Sequence, residues 1–528
     1  MAGRVGRRGV VLAAGMAGMA GAVGACTAQD ARPPRDTPAP PVSPDGLADG
    51  VSSPSRGPSA GSGAGPSASD WRQLASSVSG SVARPGSASY DTVRLTQNPR
   101  YDGARPLAVV SVAGHRDVAT ALAFAQDHGL PLAIRSGGHS YPGWSAGNGR
   151  LVVDLRRLHR VTLSGTTATI GAGASLIQAY DVLGTRARGI AGGSCPTVGI
   201  GGLTQGGGIG VLSRAHGLTC DAVTAMRVVL ADGRFVTASA DKEPDLFWAL
   251  RGGGGGHLGV VTSFTMSTFA APTITRAFLA WPFSAAPDVV PRWLATAPVA
   301  DRRLWSTLKL LGGADHPSGP ALVMSATWTG SPSAMDTALR PLLSAVPPPQ
   351  TDSRHTDGYL QTMLAYAGCS SIPVGACHTG SGGALVRERF AATSHIITSE
   401  NVDLGALLAR VHAAQGSGLK EAGVSLDALG GAVDDVGPRQ TAFGHRGALA
   451  TVQYTATYSS GPATPALGYV RGFRDAMTPS WGHGAYVNYA DASLPDYQHA
   501  YFGANAARLA DARATYDPQH VFTQPQDY

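Results

Sequence analysis

The sequence is poor in charged residues. Asp, Glu, Lys and Arg make up 14% of its 528 residues, and 41 Lys+Arg against 35 Asp+Glu leave a formal net charge of +6. Soluble domains typically carry about 25% charged residues. Lysine occurs only at Lys242, Lys309 and Lys420, never after a glycine, which excludes a Gly-Lys phosphate loop. The lack of any basic run argues against a nucleic-acid partner.

Long hydrophobic runs and metal-ligand patterns are also missing. The apolar stretch at residues 10–23 is too short and too weakly hydrophobic to span a bilayer as a permanent helix. The 15 histidines are scattered and form no His-Glu-x-x-His pattern, so no metal site is predicted. With 43% hydrophobic residues, the chain can nevertheless bury a sizeable core.

Residues 1–26 are predicted to be an export signal. Basic residues, among them Arg7 and Arg8, precede the apolar stretch, which is the order found in secretory signals. The Arg7-Arg8 pair resembles a twin-arginine signal, which exports proteins that have already folded.

The end of this signal allows two interpretations. Residues 23–26 resemble a lipobox in which Cys26 would carry a lipid, and the alternative is simple cleavage near Ala25 or Ala28. Residues 27–70 are mostly Pro, Ser, Gly, Ala and Asp and are predicted to be a disordered linker, because they cannot bury a core. We expect an exported protein, extracellular or at the cell surface, and under the first interpretation a lipid anchor at Cys26 would be its only membrane contact.

Glycine is abundant and is concentrated in two loops. A predicted strand at 107–112 and a predicted helix at 117–128 lead through a second strand to the first loop, residues 135–143. The second loop, residues 192–208, interleaves its glycines with aliphatic residues that would be buried, which argues against a free surface loop. Glycine lets the backbone approach a ligand closely, and loop amides can face an anion.

Two short motifs match other protein classes by letter but not by context. Residues 254–259 fit Gly-x-Gly-x-x-Gly, yet they follow a predicted helix and open a predicted strand at 260–265, the reverse of the dinucleotide-binding order. Residues 143–147 fit Gly-x-Ser-x-Gly, but Pro142 precedes them and a strand follows. A serine hydrolase that uses Ser145 is therefore an alternative and not the favoured function.

Four blocks together resemble the covalent-flavin oxidases of the vanillyl-alcohol-oxidase, or PCMH-type FAD-binding, superfamily, and within it the berberine-bridge-enzyme-like branch. The resemblance is close over about residues 90–270 and 425–528 and loose between them. The blocks are RSGGHSY at 135–141, CPTVGIGG at 195–202, DLFWALRG at 245–252 with GVVT at 259–262, and YVNYAD at 486–491 with YFG at 501–503, YDP at 516–518 and VF at 521–522.

The resemblance implies an α+β fold, in which a PCMH-type FAD-binding domain of two subdomains carries a mixed α/β substrate-binding cap. The FAD domain is expected to be discontinuous, with residues 71–272 joined by a berberine-bridge-like segment at 480–528. Residues 273–479 are expected to form the cap. In that middle part, the residue pattern predicts strands at 274–279, 321–328 and 450–458 and helices at 333–340 and 403–415.

The resemblance also implies FAD bound through two covalent bonds. His139 would hold the 8α-methyl group and Cys195 the C6 position, and imidazole nitrogen and thiolate are nucleophiles suited to these carbons. For an isolated His or Cys, a backbone-paired imidazole and a small buried thiol are the more usual roles. The expected cofactor-binding residues are Arg135, Ser136, Gly137, Gly138, His139, Ser140, Cys195, Val198, Gly199, Gly201, Gly202, Gly259, Val261, Tyr486 and Asn488.

Three other cysteines lie in the folded part of the chain. Cys369 and Cys377 are close enough in sequence to form a disulfide in an oxidising compartment, and reduced buried thiols fit the sequence equally well. Cys220 is expected to be a thiol in the core.

The expected reaction is oxidation of an alcohol, on a sugar or a secondary metabolite, by hydride transfer to flavin N5. Such a reaction needs a base for the hydroxyl proton. The resemblance places Tyr489 in this role, with Tyr141 beside the substrate and Asp427 or Gln453 as helpers. A phenol with its usual pKa of about 10 is a poor base at neutral pH, so the site would have to lower the pKa of Tyr489.

The electron acceptor is expected to be O2. In the branch that the chain resembles, a valine three residues after the second flavin-linking cysteine, here Val198, is associated with oxygen access to the flavin; a simpler role is packing of the loop. Two alternatives are a dehydrogenase of the same family with another acceptor and a non-catalytic binding lipoprotein. The sequence does not determine the oligomeric state.

Overall fold

The computed structural model describes residues 65–528, and the predicted signal lies outside this range. The first helix, α1 (Ala68–Ser77), begins inside the predicted linker, so the prediction of disorder up to residue 70 was wrong at its end. The reason is a capping box, in which the Ser67 side chain accepts a hydrogen bond from the Asp70 backbone and the Asp70 carboxylate accepts one from the Ser67 backbone.

A four-stranded sheet forms the first layer of the fold. The inner strand at residues 151–154 is parallel to both of its neighbours. Helix α3 packs on this sheet through four buried apolar residues at helical spacing. The helix is followed by Gly129, which has a φ of +60°. In chain order the elements are β1 (Ser81–Ala83), α2 (Tyr90–Val93), β2 (Ala108–Ser111), α3 (His115–Asp127), β3 (Leu132–Arg135) and β4 (Leu151–Asp154), and the strand order in the sheet is β1-β2-β4-β3.

A five-stranded antiparallel sheet forms the second subdomain. Its strands are β5 (Val161–Ser164), β6 (Thr167–Gly171), β8 (Val223–Val229), β9 (Phe235–Ser239) and β10 (Val260–Ser267), in the order β5-β6-β10-β8-β9; β7 (Arg188–Gly189) pairs separately with β11 (Phe269–Ala270). Four helices connect these strands: α4 (Leu176–Gly184), α5 (Ile200–Gln205), α6 (Ser213–His216) and α7 (Pro244–Ala249). The loop before α5 lies against the loop after β3, because Gly199 and Gly137 are in contact.

The middle of the chain forms a seven-stranded antiparallel sheet. Its strands are β12 (Thr273–Trp281), β13 (Leu304–Gly312), β14 (Ala321–Thr329), β15 (Thr351–Gly358), β16 (Arg389–Ile397), β17 (Glu421–Ala428) and β18 (Ala450–Tyr458), in the order β15-β12-β14-β13-β17-β18-β16. The helices in this part of the chain are α8 (Ala286–Thr296), α9 (Pro332–Leu343), α10 (Tyr359–Tyr366), α11 (Leu404–His412) and α12 (Thr464–Trp481). Helices α8, α9, α11 and α12 pack with apolar residues of the sheet in one core.

The last segment returns to the core of the first two subdomains. It contains α13 (Tyr497–Phe502) and α14 (Ala506–Tyr516). Ala485, Tyr501, Leu509 and Phe522 are buried in the same hydrophobic cluster as the two N-terminal sheets. Within residues 65–528, no helix has the length and apolar character needed to cross a membrane.

Candidate functional site

A cavity of about 330 Å³ lies between the first two subdomains and the seven-stranded sheet. One side, which we call the glycine wall, consists of residues 136–140, 193–202 and 254–257. The opposite side, which we call the cap wall, consists of Trp305, Thr307, Lys309, Ser325, Ser425, Asp427 and Gln453. Tyrosines from residues 486–489 and Tyr141 line the space between the two walls. The size is in the range of small-molecule sites.

The glycine wall is built by close approach of two loops. A side chain on Gly137 would overlap the backbone nitrogen of Gly199, and one on Gly199 would overlap the Ser136 hydroxyl and the Gly137 nitrogen. Ser136 is held in turn, since its Oγ donates a 2.6 Å hydrogen bond to the Ala172 carbonyl. Only glycine permits this packing.

His139 lies in this wall as a neutral imidazole. Its Nε2 is 2.9 Å from the Thr197 hydroxyl on the second loop. Burial lowers the pKa of His139 to about 4, because desolvation disfavours the charged ring. A neutral ring keeps one unprotonated nitrogen, which is the form that a nucleophile or a hydrogen-bond acceptor requires.

The cysteines take different roles. Cys195 lines the cavity. Cys369 and Cys377 form a disulfide with Cα atoms 6.0 Å apart, which settles the alternatives that the sequence left open for this pair. Cys220 is a free, buried thiol, and burial raises its pKa.

Aromatic rings meet at the centre of the cavity. The Tyr141 and Tyr489 rings are parallel, with centroids 5.4 Å apart, and Phe390 contacts Tyr141 edge-on at 5.3 Å. Tyr486 packs against Tyr489 at 5.0 Å and accepts a 2.9 Å hydrogen bond from the Gly208 nitrogen. Gln453 donates a hydrogen bond to the Tyr141 hydroxyl. The cap wall thereby contacts the loop that contains His139.

The polar groups of the cap wall come from adjacent strands in register. Thr307 on β13 is opposite Asp427 on β17, while Ser425 is opposite both Lys309 on β13 and Gln453 on β18. Directly opposite residues project from the same face of a sheet. The cap therefore presents hydroxyl, amide, ammonium and carboxylate groups to the cavity in one layer.

Burial in the cavity raises the pKa of the central acids. The pKa values of Tyr489 and Tyr141 lie above the usual value for tyrosine, first because of burial and then because of neighbouring charge, including that of Asp427. Burial also raises the pKa of Asp427, and the positive charge of Lys309 opposes this shift. The expected lowering of the Tyr489 pKa is thus not produced by the residues of this site.

Comparison with known proteins adds the family. Residues 106–239 match a model described as an FAD binding domain, and residues 485–527 match one described as berberine and berberine like. The FAD-linked oxidoreductase YvdP of Bacillus subtilis is 31% identical over 85% of this chain and 98% of its own length. The chain belongs to the berberine-bridge-enzyme-like FAD-linked oxidoreductases.

Two carbohydrate oxidases are also similar to this flavoprotein. The xylooligosaccharide oxidase of Thermothelomyces thermophilus is 31% identical over 80% of this chain and 86% of its own length. The crystal structure of the carbohydrate oxidase of Microdochium nivale with a substrate analogue superimposes with a TM-score of 0.76 at 28% identity, covering 86% of this chain and 98% of that one. The family prediction and the PCMH-type α+β fold prediction are confirmed.

The residues of the cavity fit FAD. The glycine wall leaves room for a flat group beside His139 and Cys195, and side chains on Gly137 or Gly199 would remove its close packing. A buried acceptor, the Gln205 Oε1 atom, lines the cavity and has no hydrogen-bond partner within residues 65–528. When bound, FAD supplies a hydride acceptor for oxidation of a C–H bond.

Three predicted cofactor-binding residues lie outside the cavity lining. Arg135 is fully buried, pairs with Asp154 at 2.9 Å and donates to two backbone carbonyls, so its guanidinium faces protein. Position 259 requires glycine because an added side chain would approach Val228 too closely. Val261 is buried in β10. All the other predicted site residues line the cavity.

The serine hydrolase alternative does not agree with the structure. Ser145 lies in a short 3-10 helix (Trp144–Ala146) and not at a strand-to-helix turn. Its Oγ is buried and has no hydrogen-bond partner among the described residues. A serine nucleophile requires a hydrogen-bonded base, and none contacts the Ser145 Oγ among the described residues.

Several cavity residues were missed by the sequence analysis. His257 and Gln524 belong to the end of the cavity at residues 254–257, and Trp305 and Lys309 belong to the cap wall. β13 has nine consecutive buried residues and hence no exposed alternation that could mark which side chains face a ligand. Gln205 was also missed. It is a polar side chain among the glycine and aliphatic residues of the second loop, and this pattern could have indicated a ligand contact.

Proposed function

We propose that this FAD-dependent oxidoreductase oxidises a CH–OH group of a carbohydrate, with O2 as the final electron acceptor. The observation that carries the proposal is the cap wall, whose hydroxyl, amide and charged groups face the cavity opposite the glycine wall. Such a layer can hydrogen-bond a substrate with many hydroxyl groups. The similarity to two carbohydrate oxidases supports the same substrate class.

Tyr489 and Asp427 share the proton transfer in this proposal. Tyr489 accepts the proton of the substrate hydroxyl while its own phenolic proton passes towards the Asp427 carboxylate. Asp427 lines the same cavity as Tyr489, and its charge adds to the effect of burial in raising the pKa of that tyrosine. A concerted transfer avoids a free tyrosinate, which the raised pKa would make scarce.

Tyr141 and Gln453 position the substrate. The Tyr141 ring stacks on Tyr489, and its hydroxyl is held by the Gln453 amide. The phenol therefore has a fixed direction in the cavity, which lowers the entropy cost of aligning a bound hydroxyl.

An anaerobic substrate screen tests the proposed reaction. The purified protein is mixed with mono- and oligosaccharides and, separately, with secondary alcohols that are not carbohydrates, and flavin absorbance is followed. We expect bleaching with a carbohydrate. Bleaching only with the other alcohols would refute the substrate class, and binding without bleaching by any compound would indicate a non-catalytic flavoprotein.

Bicovalent attachment of the flavin is part of the proposal. The neutral His139 ring and the position of Cys195 in the same cavity support it. Acid-precipitated protein should remain yellow, and either His139→Ala or Cys195→Ala should leave one bond, whereas the double variant should release FAD into the supernatant. A mass measurement that shows the flavin attached to only one of the two residues would refute the second covalent bond.

Oxygen access is assigned to Val198. This residue lines the cavity in the same loop as Cys195, and a longer aliphatic side chain would take up space there. Reduced enzyme should reoxidise rapidly in air-saturated buffer, and Val198→Leu should slow this step while leaving flavin reduction by substrate nearly unchanged. Slow reoxidation of the unmodified enzyme with fast turnover on a dye would instead indicate a dehydrogenase.

Export by the twin-arginine route completes the proposal. It rests on the sequence of residues 1–26, which lie outside the described residues, and on the chemistry of a cofactor that must be inserted into a folded domain. Replacing Arg7 and Arg8 by lysine should retain the protein inside the cell. Normal export of that double variant would refute the route.

A further inference from the structure

Gln205 connects two parts of the glycine wall through its backbone. It is the last residue of α5, and its carbonyl oxygen accepts hydrogen bonds from the Gly252 nitrogen at 2.8 Å and the Gly254 nitrogen at 2.9 Å. The loop at residues 252–257 therefore begins from a fixed position that does not depend on the Gln205 side chain.

The Gln205 side chain is held from one end only. Its Nε2 donates a 2.9 Å hydrogen bond to the Gly201 carbonyl, one turn earlier in α5. A carbonyl can only accept, which assigns the nitrogen to this contact and the oxygen to the other side. The Oε1 atom is buried, has no partner among residues 65–528, and belongs to a residue that is 6% exposed and lines the cavity.

A buried acceptor without a donor is costly. Leaving such a group unsatisfied costs about 1–3 kcal/mol, and native structures contain few of them unless a ligand or water completes the site. FAD carries two kinds of N–H donor in its ring systems, the N3–H of the isoalloxazine and the amino group of the adenine. We propose that Gln205 Oε1 accepts a hydrogen bond from one of these N–H groups and thereby contributes to FAD binding.

The surrounding loop is rigid enough to make this contact specific. Gln524 donates a 3.2 Å hydrogen bond to the Gly256 carbonyl, and the Tyr528 hydroxyl donates to the Gly253 carbonyl. His257 is 3.1 Å from the Asp527 carboxylate through Nδ1, and burial lowers its pKa to about 3, so the ring is neutral and Nδ1 is the donor. Residues 524–528 thus hold the loop independently of the Gln205 side chain.

Reversible binding tests the proposal, which depends on FAD binding but not on the carbohydrate substrate or on covalent attachment. In a His139→Ala, Cys195→Ala background, Gln205→Leu should weaken FAD binding about tenfold, the loss expected for one buried hydrogen bond of about 1.4 kcal/mol. Gln126→Leu is the matched control, because Gln126 also donates to a carbonyl one turn earlier, in α3. It should leave the affinity unchanged.

Riboflavin and ADP distinguish the two donors. If the isoalloxazine N3–H is the partner, Gln205→Leu weakens the binding of riboflavin and not that of ADP. If the adenine amino group is the partner, the same change weakens the binding of ADP and not that of riboflavin. Unchanged affinity for all three ligands, or equal weakening of riboflavin and ADP, would overturn the proposal.

A second measurement applies if the background variant does not fold. Gln205→Leu and Gln205→Glu are made in the otherwise unaltered chain, and the flavin content is measured as the ratio of flavin to protein absorbance after purification. We expect a lower content for Gln205→Leu than for Gln205→Glu, which keeps an acceptor oxygen. Full flavin content and an unshifted visible spectrum in Gln205→Leu would overturn the proposal.

Discussion

The two walls of the cavity are built in different ways. In the glycine wall, the shape comes from backbone atoms that touch, and a side chain added at Gly137 or Gly199 collides with the facing loop. In the cap wall, the shape comes from side chains on alternate positions of adjacent strands. A strand can exchange such a side chain without moving its backbone. The glycine wall is thus suited to one constant ligand, and the cap wall to a substrate that can differ between relatives.

The largest expected effect is the loss of flavin when the glycine wall is filled. Gly199→Ala should abolish flavin incorporation, because its methyl group would overlap Ser136 and Gly137. Gly468→Ala is the control, since this glycine of α12 lies outside the cavity lining and has open space around an added Cβ. The ratio of flavin to protein absorbance measures both. Equal flavin content in the two variants would contradict the role given to backbone contact.

Removal of the Tyr489 hydroxyl should affect chemistry and not flavin binding. Tyr489→Phe is expected to slow flavin reduction by substrate roughly 10²–10⁴-fold, the usual contribution of a positioned proton acceptor, with normal flavin content. Anaerobic stopped-flow spectroscopy measures the rate. Tyr469→Phe, which removes a hydroxyl bonded to the Arg410 carbonyl in the cap, should leave it unchanged. A rate within twofold of the unmodified enzyme would remove Tyr489 from the mechanism.

The pH dependence of flavin reduction tests Asp427. Its carboxylate is the proposed proton acceptor, so the rate should rise with pH as Asp427 ionises. Because burial raises the pKa of Asp427, this rise should lie above the usual aspartate range near 3.9. Asp427→Asn should lower the rate and remove this acidic limb. A limb that persists in the variant would assign the ionisation to another group.

The smallest expected effect concerns substrate affinity. Gln453→Leu removes the hydrogen bond to Tyr141 and should raise the substrate dissociation constant roughly five- to tenfold, the equivalent of about 1 kcal/mol, while flavin content stays normal. Gln350→Leu, at an exposed position beside the same sheet, is the control. A fall in flavin content with Gln453→Leu would show that the two walls are not separable.

Local patterns predicted one wall and not the other. The two glycine loops could be found because each is continuous in sequence and is bounded by strands and a helix. Lys309 and Trp305 could not be found in this way, because β13 is buried along its whole length. Its cavity-facing residues cannot be distinguished by pattern from residues of the hydrophobic core. Arg135 was assigned to the cofactor from the resemblance of its block, but its side chain pairs with Asp154 and lies outside the cavity lining. Its partner Asp154 lies on the neighbouring parallel strand, in register with it.

The sequence by itself determined where glycine allows two loops to approach each other, and it placed a histidine and a cysteine, both nucleophilic residue types, in these loops. It thereby determined the family and the cofactor. Tertiary structure alone decided which cap residues meet the cofactor loops, since Tyr141 and Gln453 are 312 positions apart in the chain yet share a hydrogen bond. It also decided the electrostatics, because burial of Tyr489 and Asp427 in one cavity raises both pKa values. Desolvation depends on everything that surrounds a group, and no local motif contains that information.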